Sequence, residues 1–144
     1  MTDESAGGPL DISTLETLGR RATTHPLVTD WRFRPDPISP HVLELTLDVG
    51  QYPAAVEASR LDMRWFTDET YSFHYREETA DGAWECRFDH HPKPNLPDTH
   101  YHPPPNAGPA ETSPLTEEQP LDCLFWVCDW IDERVATLHN ADNG

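Results

Sequence analysis

A chain of 144 residues with five Trp, four Tyr and five Phe is long enough to bury the core of one domain. A formal net charge of −16 counts against nucleic-acid binding through overall positive charge, and no run approaches the ~18 apolar residues of a membrane span. Acids and Gly7-Gly8-Pro9 stand where a signal peptide needs basic and apolar blocks, so the expectation is a cytoplasmic protein with no secretory leader.

Residues 1–9 are small, polar and acidic, and are expected to be disordered. A single domain is expected over residues 10–139. From Asp11 to about Thr23, Ile12, Leu15, Leu18 and Ala22 recur at helical spacing, with Asp11 placed to cap the start. His25-Pro26 ends that helix, because a residue before Pro disfavours the helical region. Strands follow, each alternating apolar and polar. Over Leu27–Arg34, Trp31 and Phe33 oppose Arg32 and Arg34. Over His41–Val49, Leu43, Leu45, Leu47 and Val49 oppose Glu44, Thr46 and Asp48. After a connection at residues 50–55, Ser59–Thr67 sets Leu61, Met63 and Trp65 against Arg60, Asp62 and Arg64. Tyr71–Glu77 sets Tyr71, Phe73 and Tyr75 against Ser72, His74 and Arg76. Asp81-Gly82 is a hairpin signal. Trp84–His90 sets Trp84, Cys86 and Phe88 against Glu85, Arg87 and Asp89.

Period-two alternation over five segments with short turns predicts an antiparallel meander with one buried face. Residues 106–114 read as a Pro/Ala/Gly loop. Thr116-Glu117-Glu118-Gln119 fits a capping box, with Pro120 in the first turn. Leu121, Leu124, Phe125, Cys128, Ile131, Val135 and Leu138 then mark an amphipathic helix of about five turns. Residues 140–144 are expected to fray. The predicted class is therefore α+β: a sheet of about five strands, an N-terminal helix, and a long C-terminal helix on the apolar face.

Lys93 is the only lysine, and the remaining cations are Arg. An Asp-rich, Lys-poor chain matches proteins adapted to molar salt, where the Debye length is about 3 Å and local contacts outweigh global charge. The other reading is an acidic protein shaped for a basic partner. Cys86, Cys123 and Cys128 form no C-x-x-C pair, and an odd count without a leader predicts reduced thiols. Cys86 and Cys128 read as small core residues.

The polar face collects six of the ten basic residues: Arg32, Arg34, Arg60, Arg64, Arg76 and Arg87. His74 and Tyr101 are expected nearby. Guanidinium forks on one face suit phosphate, and point to RNA, a nucleotide or another anion. Glu44, Asp48, Asp62, Glu85 and Asp89 share that face, so cross-strand ion pairs are the competing reading.

Four of eight histidines lie between His90 and His102, in a proline-rich stretch. Two chemistries compete there. In the first, His91, His100 and His102 move protons on RNA without metal, Asp89 orients an imidazole, and Arg87, Arg76 and Arg64 hold phosphate with help from Arg60. In the second, His90, His100 and His102 bind zinc or another transition metal, with His91 as an alternative to His90 and Asp89 or Asp98 completing the shell. His100-x-His102, if extended, sets both rings on one side of the chain. A proline-stiffened surface loop without chemistry is the third reading.

Tyr71-Ser72-Phe73-His74-Tyr75-Arg76, the Asp81-Gly82 turn, Arg87-Phe88-Asp89, His90-His91-Pro92 and Pro97-Asp98-Thr99-His100-Tyr101-His102 together resemble the core of TumE-type toxins. That family's pattern is an aromatic strand, a D-G turn, an R-x-D strand, a His-rich loop and a closing C-terminal helix. Here the resemblance runs from about His41 to Val135. It implies the toxin of a toxin–antitoxin pair, directed at RNA and partnered by a helix-turn-helix antitoxin. A non-catalytic module that binds protein or nucleic acid through the same face is the alternative.

Overall fold

Side chains alternate between the two faces of a strand, and that alternation organises this chain. The computed structural model describes residues 9–91 and 98–143. The five expected strands are β1 (Val28–Arg34), β2 (Val42–Leu47), β3 (Val56–Trp65), β4 (Tyr71–Thr79) and β5 (Gly82–His90). Two short strands extend the sheet to seven: β6 (Thr99–His102) and β7 (Glu111–Thr112). Every strand pairs antiparallel with its sequence neighbour, in the order β1 to β7. The class is α+β, with helix α1 (Ile12–Ala22) before the sheet and α2 (Pro120–Asn143) after it.

The register lines up one apolar row across six strands: Phe33, Leu43, Met63, Phe73, Phe88 and Tyr101. Trp31, Leu45, Leu61, Tyr75 and Cys86 form the next. Both helices cover this face. Leu15 and Leu18 from α1 join Leu124, Val127, Cys128 and Ile131 from α2 in one core cluster. Trp126 and Trp130 of α2 meet the Phe88 ring edge to face at 5.4 Å. Gly19 sits where α1 crosses Trp31; a Cβ there would lie 2.5 Å from the indole. Only glycine allows that approach.

Asp11 caps α1 as expected, its Oδ1 accepting from the Thr14 amide at 3.1 Å. The N-terminus of α2 departs from the expected capping box. The helix begins at Pro120, and the Cys123 amide bonds to the Gln119 carbonyl at 2.9 Å. The residue before a proline is pushed out of helical geometry, so Gln119 cannot extend the helix back to Thr116. At the other end, α2 runs to Asn143. His139 Nε2 donates to the Gln51 carbonyl at 2.8 Å and pins the last turns. The expected disorder of residues 1–9 and the stiff proline run of residues 92–97 lie outside the described residues, Pro9 apart.

A charged residue occupies an apolar position on β4. Glu77 follows Tyr71, Phe73 and Tyr75 on the inner face and is 1 % exposed. Arg134 of α2 donates to it through Nε at 2.9 Å and Nη2 at 2.8 Å. Tyr75 adds its hydroxyl at 2.6 Å, and Tyr52 and Ser59 continue the chain of bonds. The Arg134 guanidinium lies 3.5 Å from the centre of the Trp84 ring. Removing one partner of such a pair strands a buried charge. Arg134→Ala is expected to cost about 3–5 kcal/mol in urea unfolding, whereas the apolar pair Glu77→Leu with Arg134→Met costs much less.

Cys86, Cys123 and Cys128 are buried, and burial pushes each thiol up to about 12. Burial likewise raises the Tyr71 and Tyr75 phenols. An acid whose folded pKa is raised stabilises fully below its unfolded pKa, near 8.5 for a thiol, and that contribution is lost as pH climbs through the folded value. Melting temperature should therefore hold to about pH 8.5 and fall steadily above it. A thiol-titrating dye should find no reactive cysteine in the folded chain and all three after denaturation.

Candidate functional site

The polar face shows what the register does with the charged residues. One row runs Arg32, Glu44, Asp62, His74, Arg87, His102. Its neighbour runs Arg64, Ser72, Asp89, His100, Thr112. Cations and acids alternate, and most of them pair. Glu44 forms ion pairs with Arg32 and Arg34. Asp62 takes Arg34 and Arg60, each at 3.1 Å. Glu78 and Glu85 take Arg76, and Glu85 also meets His74 Nε2 at 2.7 Å. Arg60 and Arg76, expected to hold phosphate, are thus engaged with carboxylates, as is His74. Arg64 differs: among the described residues no ion pair or hydrogen bond involves it. It lines a shallow hollow with Arg32, Arg34 and His41.

Where β6 joins β5, the two rows bring Asp89, His100 and His102 together. Asp89 opposes His100, and Arg87 opposes His102. Asp89 is 2 % exposed and His100 is fully buried. Arg87 Nε donates to Asp89 Oδ2 at 2.8 Å. Its terminal amino groups make no hydrogen bond among the described residues. The Nε2 atoms of His102 and His100 lie 3.3 and 3.9 Å from the same Oδ2. Asp89 Oδ1 and His102 Nε2 are buried and make no hydrogen bond among the described residues. On the other side of its ring, His102 Nδ1 donates to the Gly108 carbonyl at 2.8 Å. His91 stands beside the cluster, its ring 5.1 Å from that of His100 and perpendicular to it.

Two expected members lie elsewhere. His90 follows Asp89 by one residue on β5 and so points to the opposite face, where its ring meets Tyr71 at 5.4 Å. A metal set of His90, His100 and His102 is therefore not assembled; Asp89 takes the place of His90. Tyr101 sits between His100 and His102 on the chain and also turns inward. Its ring stacks on Phe88 at 4.9 Å, and it does not line the arginine face. Asp89, His91, His100 and His102 do come together, with Arg87 attached.

The chemistry of this cluster follows from which nitrogens are available. His102 has one ring nitrogen on the Gly108 carbonyl and the other turned to Asp89. His100 is sealed under the sheet face. Neither presents a nitrogen to a substrate, as metal-free proton transfer by those two residues would need. His91 is half buried at the rim of the cluster. The Gly108 carbonyl was invisible in the sequence, since no side chain marks it. Glu77 and Arg134 carried a signal: an acid on an apolar stripe, and the one cation within the C-terminal helix.

Neither the curated proteins nor the solved structures contain a significant match to this chain. A family model described as toxin TumE matches residues 15–135, from α1 through most of α2. The match begins well before His41, where the sequence resemblance starts, and takes in every strand and the whole histidine cluster. The chain belongs to the TumE toxin family.

Proposed function

We propose that this toxin component acts by cleaving RNA on the polar sheet face, at the centre formed by Asp89, His91, His100 and His102. The observation that carries the reading is the convergence of two imidazoles and a guanidinium on one oxygen, Oδ2, of the buried Asp89 carboxylate. Burying that carboxylate costs several kcal/mol unless it is paired, and a chain keeps such a group where it serves a purpose.

Arg64 lies in the same row as Asp89, with only Ser72 between them. Two strand spacings make that about 10 Å, within reach of an arginine side chain and one phosphate group. Arg64 and the terminal amino groups of Arg87 hold the phosphate and steady the charge that builds on its oxygens. The 2′-hydroxyl of the RNA attacks the adjacent phosphorus, and the bond to the 5′-oxygen breaks. His91 takes the hydroxyl proton, and water protonates the departing oxygen. The products are a 2′,3′-cyclic phosphate and a free 5′-hydroxyl. Toxin-family membership supports a second chain that neutralises this activity, and a helix-turn-helix antitoxin is the partner the family context suggests.

Induced expression should arrest growth and degrade RNA. His91→Ala should relieve arrest while leaving the fold intact by circular dichroism, and Arg64→Ala should weaken cleavage by about 10²–10³-fold, the range for a lost charge-stabilising donor. Normal growth and intact RNA in cells holding abundant soluble protein would sink the proposal. Retarded RNA that stays uncleaved would instead establish a binding module.

A further inference from the structure

The tautomer of His102 sets it apart from the histidines that merely tie elements together. A carbonyl oxygen only accepts, so the Gly108 carbonyl fixes a proton on His102 Nδ1. In the neutral ring, Nε2 then carries a lone pair, and it faces the Asp89 carboxylate at 3.3 Å. Two acceptors aimed at each other in a buried site repel unless a cation lies between them. His25, in the other His/Asp grouping of the described residues, is wired in reverse. Its Nδ1 accepts from the Leu27 amide at 3.1 Å, so Nε2 holds the proton and donates to Asp132 at 3.0 Å. That ring has no lone pair left for a metal.

The spacing at the β5–β6 cluster suits an ion. Asp89, His100 and His102 offer ligand atoms that all lie within 4.8 Å of one another. Donors at about 2.1 Å from a tetrahedral ion are ~3.4 Å apart, close to the 3.3 and 3.9 Å seen here. Metal-bound histidines commonly donate their other N–H to a backbone carbonyl, as His102 does. The carboxylate is held in turn by Arg87, which occupies Oδ2 and leaves Oδ1 without a hydrogen bond. Arg87 is also the competing cation, and without an ion it would share the carboxylate with the imidazoles.

We infer that Asp89, His100 and His102 bind one divalent transition-metal ion. Two imidazoles and one carboxylate favour zinc, iron, cobalt or nickel over the all-oxygen shells of magnesium and calcium. Three protein ligands leave a coordination position open. The inference shares its residues with the proposed RNA centre and deepens it, since an ion there would lie beneath His91 and add positive charge where the phosphate is held.

The test uses the full chain without a histidine tag, stripped by chelator and titrated with Co²⁺. Expected are one ion per chain, a visible absorption band, and a raised melting temperature. Paramagnetic cobalt should shift or broaden the ring signals of His100 and His102 in the unmutated protein and leave those of His25 and His139 in place. His102→Ala should weaken affinity by about 10–100-fold or abolish binding, and His25→Ala should not change it. Folded wild-type protein that takes up no cobalt, or whose uptake depends on His25 rather than His102, overturns the inference. A loaded chain that leaves RNA intact upholds the ion and defeats the RNA reading; a toxic chain that binds no ion does the reverse.

Discussion

Pairing of β6 with β5 is the contact on which the site depends. A strand that slips by one residue turns every side chain to the other face. With Asp89 opposite His100, the two histidines of β6 join the polar face and Tyr101 stacks on Phe88 in the core. A slip would bring Tyr101 out against Asp89 and drive His100 and His102 into the apolar row. The loss of the Phe88–Tyr101 stack and the burial of two imidazoles among hydrocarbon oppose it, so packing on one face holds the chemistry on the other.

Two buried carboxylates show how differently the faces treat charge. Glu77, on the helix-covered face, takes both its oxygens to Arg134 and adds the Tyr75 hydroxyl. Its acceptors are satisfied, and the group acts as a rivet between β4 and α2. Asp89, on the open face, is as deeply buried yet holds one clear hydrogen bond, from Arg87. An unmade bond on a buried charged oxygen costs more than an exposed ion pair returns. The under-satisfied acid is thus the costly one, and it lies at the histidines.

How much of this the sequence disclosed varies with the length of the alternating run. Strands β1 to β5 each present two or more apolar residues at period two, enough to set their parity, so the arginine face could be read directly. Strand β6 has four residues, Thr-His-Tyr-His, with prolines close by on both sides. Its alternation was legible within itself, which paired His100 with His102. Its phase against β5 was not, because the residues between them do not carry the parity across. That is why Tyr101 was expected on the arginine face and why His90 was grouped with His100. The short β7 has no apolar residue at all and owes its place to the β6 edge. At the start of α2 a local constraint outranks the capping-box pattern: Pro120 holds Gln119 out of helical geometry, so the helix begins at Pro120.

Ionic strength separates the surface arginines from the buried centre. Partly exposed pairs such as Arg76 with Glu78 are worth little and weaken as salt shortens the Debye length. Asp89, His100 and Glu77 are withdrawn from solvent, so their contacts are screened far less. In an acidic chain with few cations, the long-range field would repel any anion, and salt weakens that repulsion while leaving the buried contacts intact. Charge on this sheet is therefore graded by cover: the Arg76–Glu78 pair stands partly in solvent, and the contacts of Glu77 and Asp89 lie beneath the surface, where screening reaches them least.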